Sequence, residues 1–290
     1  MHSGVGFRAH HSLPEVLQVN NLLGCRIQSG FIVLLASVLL LASSPQAWAA
    51  PPLRVCADPN YMPYSNQAGQ GFENKVAELM SKALDRPLEY VWSSYRQSGG
   101  YDNFLALGLD KGKCDIVMNL PYGDPEEMYT RPYYGSSYVF VYRKSSDYNL
   151  SGGLDSPVLK KVKIGYEDNT PPQTGLKMRG LVMRAKVFHT AEKKNTSPDN
   201  TLRAVQRRKI DILITWEPAI GYYMKEFPDL TMARVPNTNA MGSPERYSFF
   251  MSMAVKPGDN KLKKQLDHVI ATHQEQISQI MKQYNVRILK

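Results

Sequence analysis

Cysteine, histidine and long apolar runs are all scarce in this chain of 290 residues, which holds three cysteines, six histidines and one extended apolar run, Phe31 to Ala42. A run of twelve residues is shorter than the ~20 a helix needs to cross a bilayer, so a polytopic membrane protein is excluded. Arg26 precedes it, and Ser43, Ser44, Pro45 and Ala47-Trp48-Ala49 follow, a small-x-small pattern that reads as the end of a secretory signal. Residues 1–49 are therefore predicted to be a signal peptide cleaved after Ala49, which exports the mature chain without stable membrane insertion.

Cleavage deepens the scarcity. Cys25 leaves, and Cys56 and Cys114 remain as an even pair that an oxidising compartment favours joining. Three histidines remain, and His268 and His273 stand five apart on a predicted helix, off the i, i+4 spacing that puts two ligands on one face. Two thiols alone do not make a zinc site, so no metal is expected. The chain also lacks G-x-S-x-G, a Walker loop, an EF-hand loop and G-x-G-x-x-G, and neither a cofactor nor a catalytic nucleophile is expected.

What the chain does have is ordinary globular composition, 43% apolar and 21% charged, with a basic balance. Loss of Arg8, Arg26 and Glu15 with the signal leaves 33 basic residues against 25 acidic, a net +8. The basic groups at Lys160, Lys161, Lys163 and at Arg203, Arg207, Arg208, Lys209 lack interleaved aromatics, which speaks against nucleic acid. They suit a solvated face or docking on an acidic partner.

Periodicity predicts strands alternating with helices. In the first half these are a strand at 53–58 closed by an Asp-Pro-Asn turn, a helix from Phe72, a strand at 88–94, a helix at 101–111 and a strand at 115–120. The second half repeats the order with strands at 163–167, 185–189 and 211–216 and helices at 173–181 and 201–208. Asp102-Asn103 and Lys113-Cys-Asp-Ile116 before Pro121 resemble Asp199-Asn200 and Lys209-Ile-Asp-Ile212 before Pro218, a mark of duplication. Tyr138 to Arg143 and Phe249 to Val255 are candidate crossover strands, and Leu262 to Tyr284 reads as one amphipathic helix with His273 inside its apolar stripe. The expected fold is α/β, two lobes with mostly parallel sheets: residues 50–138 with 250–290 form lobe one, and 139–249 form lobe two including the hinge strands.

The order of strand, Gly71-Phe72 opening a helix, Lys-Cys-Asp-Ile, and Arg131-Pro-Tyr-Tyr134 before a crossover strand resembles the type II periplasmic-binding-protein fold of ABC importers. Leu53-Arg-Val-Cys-Ala-Asp-Pro-Asn60, Tyr138-Val-Phe-Val141, Trp216 through Gly221-Tyr222-Tyr223, and Met251-Ser-Met-Ala-Val-Lys256 are similar to the quinoprotein-dehydrogenase-associated branch, the MxaJ (MoxJ) and XoxJ proteins of methanol oxidation. The likeness spans 53–290. It implies a two-stranded hinge, and it places Cys56 and Cys114 in neighbouring strands, where they would form a disulfide. It implies as partner a PQQ-dependent methanol dehydrogenase, aided in assembly or activation through protein-protein binding.

Strand ends converge on a cleft in that fold. Its expected lining is Asp58, Asn60, Tyr61, Tyr64, Trp92, Tyr95, Asn119 and Tyr122 from lobe one, with Asn169, Gln173, Trp216 and Glu217 from lobe two. Amino-acid-binding relatives carry Thr-x-x-Arg after the third strand, and here Pro121-Tyr-Gly-Asp-Pro-Glu126-Glu127 puts acids in place of the cation that clamps a carboxylate. The alternative reading is a solute receptor of an ABC importer for a small apolar or aromatic ligand. An enzyme ranks last, with Glu217 opposite Asp58 as the one pair to nominate.

Overall fold

The computed structural model describes residues 50–98, 100–123, 127–190, 197–239, 242 and 244–289. The chain enters with β1 (Leu53–Ala57). The following turn forms because Asp58 Oδ1 accepts the Asn60 N–H at 2.8 Å, an Asx turn. A short ribbon of β2 (Asn60–Tyr61) and β3 (Ser65–Asn66) leads to α1 (Phe72–Ala83). Gly71 is required before this helix, since a Cβ there would lie 1.9 Å from the Tyr64 carbonyl oxygen. Asn74 accepts the N–H of Gly71 and that of Asn66, and so satisfies donors at the helix entrance.

The first half continues with β4 (Leu88–Trp92), α2 (Tyr95–Ser98), α3 (Tyr101–Gly108) and β5 (Ile116–Pro121). A long strand, β6 (Tyr134–Arg143), opens the second half, followed by β7 (Ile164–Glu167), α4 (Pro171–Met178), β8 (Lys186–Phe188), α5 (Asp199–Gln206) and β9 (Ile212–Trp216). Next come α6 (Glu217–Ile220), β10 (Leu230–Arg234) and β11 (Ser248–Val255), and then α7 (Asn260–Thr272) and α8 (Gln274–Gln283).

The main sheet runs β4-β1-β5-β11-β6-β9-β7-β8, with β10 also on β6. Its flanks are parallel, β1 with β4 and β5, and β7 with β8 and β9. The pairs made by β6 and β11 are antiparallel. Residues 134–137 of β6 pair with 248–251 of β11, while 138–142 of the same strand pair with β9. Each long strand thus belongs to both halves, and the chain crosses between them twice. The predicted crossover at Tyr138 begins four residues earlier, at Tyr134, because β11 supplies backbone partners to that stretch.

The duplication seen in the residues has a structural counterpart. The Asp115 N–H donates to the Arg54 carbonyl, and its carboxylate accepts the Arg54 N–H and guanidinium. The Asp211 N–H donates to the Lys163 carbonyl, and its carboxylate accepts the Lys163 N–H and the Arg143 guanidinium. One acid per half ties the start of its third strand to the start of its first. Cys56 and Cys114 form the predicted disulfide, with Cα atoms 5.5 Å apart. It lies in a cluster with Phe104, Leu109 and Val117, and Gly108 of α3 sits against it.

The helix predicted over 262–284 is two helices. His273 ends α7, its N–H on the Val269 carbonyl and its Nδ1 2.9 Å from the Thr272 hydroxyl, and α8 restarts at Gln274. The apolar stripe continues through the break because both helices pack on α1. The segment after α8 then reaches residues of the second half and of β6. Arg287 binds the fully buried Glu217 at 2.6 Å, Asn285 donates to the Gly221 carbonyl, and the Leu289 N–H reaches the Gly135 carbonyl.

Candidate functional site

At the carboxyl ends of the parallel strands lies a cleft of about 820 Å³ lined from both halves. The first half contributes Tyr61, Tyr64 and Tyr95, with Tyr61 stacked on Tyr64 at 4.8 Å and 5.6 Å from Tyr95. The second aromatic group is Tyr138, Trp216 and Phe249, whose ring centroids are 5.2 to 6.3 Å apart. Such rings offer large contact area at small entropic cost. Asn119 of β5 and Asn169 beyond β7 mark equivalent strand ends, both at positive φ (66° and 55°), which Asn tolerates better than most side chains. The Tyr134 hydroxyl donates to the Asn119 side chain.

The polar groups of the cleft are mostly acids. Glu73, in the first turn of α1, is 6% exposed, and burial, reinforced by the charge of Asp58, pushes its carboxyl up to about 8. Glu167, at the end of β7, is also raised by burial, against hydrogen bonds from Thr215 and Thr190 that favour its charged form; the Thr215 hydroxyl is 2.9 Å away. Asp168 accepts from Gln173 Nε2 at 2.8 Å and lies 3.3 Å from His189 Nδ1. Among the described residues, the lining holds no Lys or Arg.

Of the residues expected in the cleft, the structure brings six together: Tyr61, Tyr64, Tyr95, Asn119, Asn169 and Trp216. Six lie elsewhere. Asp58 is buried, outside the lining, and accepts the N–H groups of Asn60 and Tyr95. Asn60 is exposed on β2, and Trp92 stacks on Tyr90 in edge strand β4. Tyr122 is 57% exposed in a second depression of about 580 Å³ beside Phe250. Gln173 holds the Asn169 N–H at 2.8 Å, and Glu217 is bound to Arg287; neither lines the cleft. The nominated pair Asp58 and Glu217 is thus two separate carboxyls, each with its own partners.

Of the acids expected to replace the carboxylate clamp, Glu126 lies outside the described residues, and Glu127 lines the second depression. The acids that line the cleft, Glu73, Glu167 and Asp168, were missed. A signal for Glu73 existed: Phe72, Glu73, Val76, Ala77 and Met80 share the buried stripe of α1, so a carboxyl sits where the period demands an apolar residue.

Two halves with parallel sheet flanks, two shared crossover strands and a cleft at the strand ends define a binding protein of the periplasmic type. The chain belongs to the bacterial extracellular solute-binding proteins, family 3, whose profile matches residues 53–287. It is 29% identical over 268 residues to protein MoxJ of Methylorubrum extorquens, covering 86% of each chain. Among solved structures it is similar to MxaJ from Methlophaga aminisulfidivorans MPT, with TM-score 0.70 and 26% identity over 82% of this chain and 100% of that one. It is likewise similar to the periplasmic binding protein XoxJ from Methylobacterium extorquens AM1, with TM-score 0.66 and 30% identity over 82% of this chain and 99% of that one.

Proposed function

We propose that the chain is a periplasmic accessory protein of a PQQ-dependent methanol dehydrogenase, which aids assembly or activation by protein-protein binding and catalyses nothing itself. The observation that carries this reading is the extent of the likeness: MxaJ and XoxJ are matched over 100% and 99% of their lengths. Export rests on the signal expected at 1–49. Among the described residues no helix is long and apolar enough to cross a membrane.

The basic groups give this reading a surface. Lys160, Lys161 and Lys163 precede β7, while Arg207, Arg208 and Lys209 precede β9, all exposed. Because β7 and β9 pair in parallel, the two groups meet at the amino ends of neighbouring strands, the end of the sheet away from the cleft. A patch of one sign there speeds encounter with an acidic partner. Purified dehydrogenase should therefore associate at low salt and less above physiological ionic strength, where the Debye length falls below about 8 Å. Deleting the gene should lower dehydrogenase activity in cells. Normal activity in the deletion strain together with lost uptake of a solute would establish an importer receptor instead.

A further inference from the structure

We propose that Met183 is the apolar anchor of the basic docking surface, and that the partner it fits is a protein face with an apolar socket rimmed by carboxylates. The inference rests on the accessory role proposed above for the identity of that partner, the dehydrogenase, and deepens it by naming the side chain that holds the contact.

The observation that carries it is where the exposed apolar side chains lie. Among the described residues six large hydrophobic side chains are exposed, and three of them, Met178, Met183 and Val187, fall within ten residues of the second half. Single apolar side chains on a surface are ordinary, but a group of them marks a contact. Met183 is 92% exposed, further out than any of the others.

Its backbone is fixed. Met183 is the middle residue of a 3-10 turn, Val182–Arg184, between buried Leu181 and half-buried Ala185. The Leu181 N–H donates to the Leu176 carbonyl of α4 at 2.8 Å, the Ala185 N–H returns to the Val182 carbonyl, and the Arg184 guanidinium donates to the Lys160 carbonyl at 2.6 Å. The fold thus holds the turn and leaves the methionine side chain outside, where its flexible thioether can adapt to a partner. Met178 ends α4, the helix to which the turn is bonded. Val187 of β8 pairs with Tyr166 and shares its face of the sheet, where Tyr166 packs in one cluster with Leu176. Since β8 is the last strand of the main sheet on this side, Val187 and the turn before it stand at the outer margin of that cluster.

Cations surround the anchor. Gly165 pairs in parallel with Lys186, so the turn stands at the amino end of β8 beside that of β7, where Lys160, Lys161 and Lys163 are exposed. Arg184 and Lys186 are exposed beside Met183 in the chain. Asp155 and Asp211, the acids that enter this corner, are already held, the first by Arg179 and the second by Arg143 and the Lys163 N–H. Cations round an apolar side chain call for the converse on the partner, carboxylates round an apolar socket. The charges set how fast the partner arrives, and burial of the methionine sets how long it stays. A bilayer is the poorer fit, because one methionine and a short margin bury far less apolar area than the whole face of an amphipathic helix.

The test is the kinetics of association of the mature protein with purified methanol dehydrogenase from about 20 to about 300 mM salt. Met183→Ala should raise the dissociation rate about tenfold at every salt concentration and leave the salt dependence as it was. Met183→Leu, of similar volume, should keep the wild-type rate. Lys160→Gln with Lys161→Gln should slow association and flatten the salt dependence. Leu107→Ala, at an exposed apolar residue of α3 outside this corner, should change neither rate. Dissociation that Met183→Ala leaves unchanged, or speeds no more than Leu107→Ala does, overturns the inference and leaves the accessory role standing, whereas no association of the wild-type protein at low salt overturns both. Sedimentation with phosphatidylglycerol vesicles that depends on Met183, beside unchanged affinity of Met183→Ala for the dehydrogenase, assigns the corner to a membrane surface and likewise overturns it.

Discussion

Breaking the Cys56–Cys114 bridge should cost about 4 kcal/mol, and the structure says where that comes from. The bridge closes a loop with a sequence separation of 58, which takes in β2, β3, α1, β4, α2 and α3. In the chain-entropy model a loop of that length removes about 14 cal/mol/K from the denatured ensemble, or about 4 kcal/mol at 25 °C. For a mature chain of this size that is a fall in Tm of about 8–16 °C. The assay is urea unfolding of the mature protein equilibrated with and without reductant, beside a Cys56→Ala/Cys114→Ala variant. The variant should lose about 1–2 kcal/mol more, because both sulfurs are buried and Gly108 packs so closely that a Cβ on it would be 2.7 Å from Cys56 Sγ. Reduced and oxidised proteins within 1 kcal/mol of each other would refute the reasoning, as would two titratable thiols in the unfolded, unreduced chain.

Acid should destabilise the protein through Asp115: burial disfavours its charge, but hydrogen bonds from Arg54 and the charges of Arg54 and Arg86 outweigh this and hold its carboxyl below the usual range. A depressed folded value adds stability above the unfolded value of about 4, lost as pH falls through the folded one, so Asp115→Asn should flatten the decline in unfolding free energy below pH 4. Gly221→Ala should cost about 1–3 kcal/mol in urea unfolding, since its Cβ would meet the Asn285 and Tyr284 carbonyl oxygens at 2.7 and 3.0 Å; an unchanged midpoint would show that the last segment yields freely. Arg287→Ala should cost about 2–4 kcal/mol by leaving Glu217 buried with one backbone N–H, a loss that the double variant with Glu217→Gln partly restores. Free amino acids should show no low-micromolar dissociation constant by calorimetry, because about 8 kcal/mol is hard to assemble for a zwitterion whose carboxylate would face Glu73, Glu167 and Asp168.

The alternation of strands and helices was legible where an element is long enough to show its period, as α1 is before Pro87 and β5 is up to Pro121, while the two-residue strands β2 and β3 and the four-residue helix α2 show none. The break at His273 was not, since the apolar positions Val269, Ile270, Ile277 and Met281 serve two helices on one support without interrupting the stripe. In the cleft, the aromatics at strand ends could be read from the rule that parallel sheets bind ligands there. Asp58 and Glu217 misled the same rule. Both lie at strand ends, but their oxygens go to backbone N–H groups and to Arg287, residues up to 70 positions away that no local pattern reveals. Glu167 and Asp168 directly precede Asn169, so the segment was located and its acids overlooked.

The two halves differ in how far along the chain their cores reach. One cluster of the second half draws its buried residues from Tyr138 to Tyr247, whereas a second cluster runs through both halves, joining Leu53 to Leu202, Leu213 and Leu230 and on to Met281 and Val286, and β5 finds its outer partner only in β11. During synthesis, or on refolding, the first of these clusters therefore has its residues in hand early. The first half must wait with an open strand edge until the final forty residues arrive. Contacts of such sequence separation are slow to form, and an unpaired edge invites association with other chains. Refolding yield should thus fall with protein concentration, and removing α7 and α8 would strip the first half of its core rather than trim a tail.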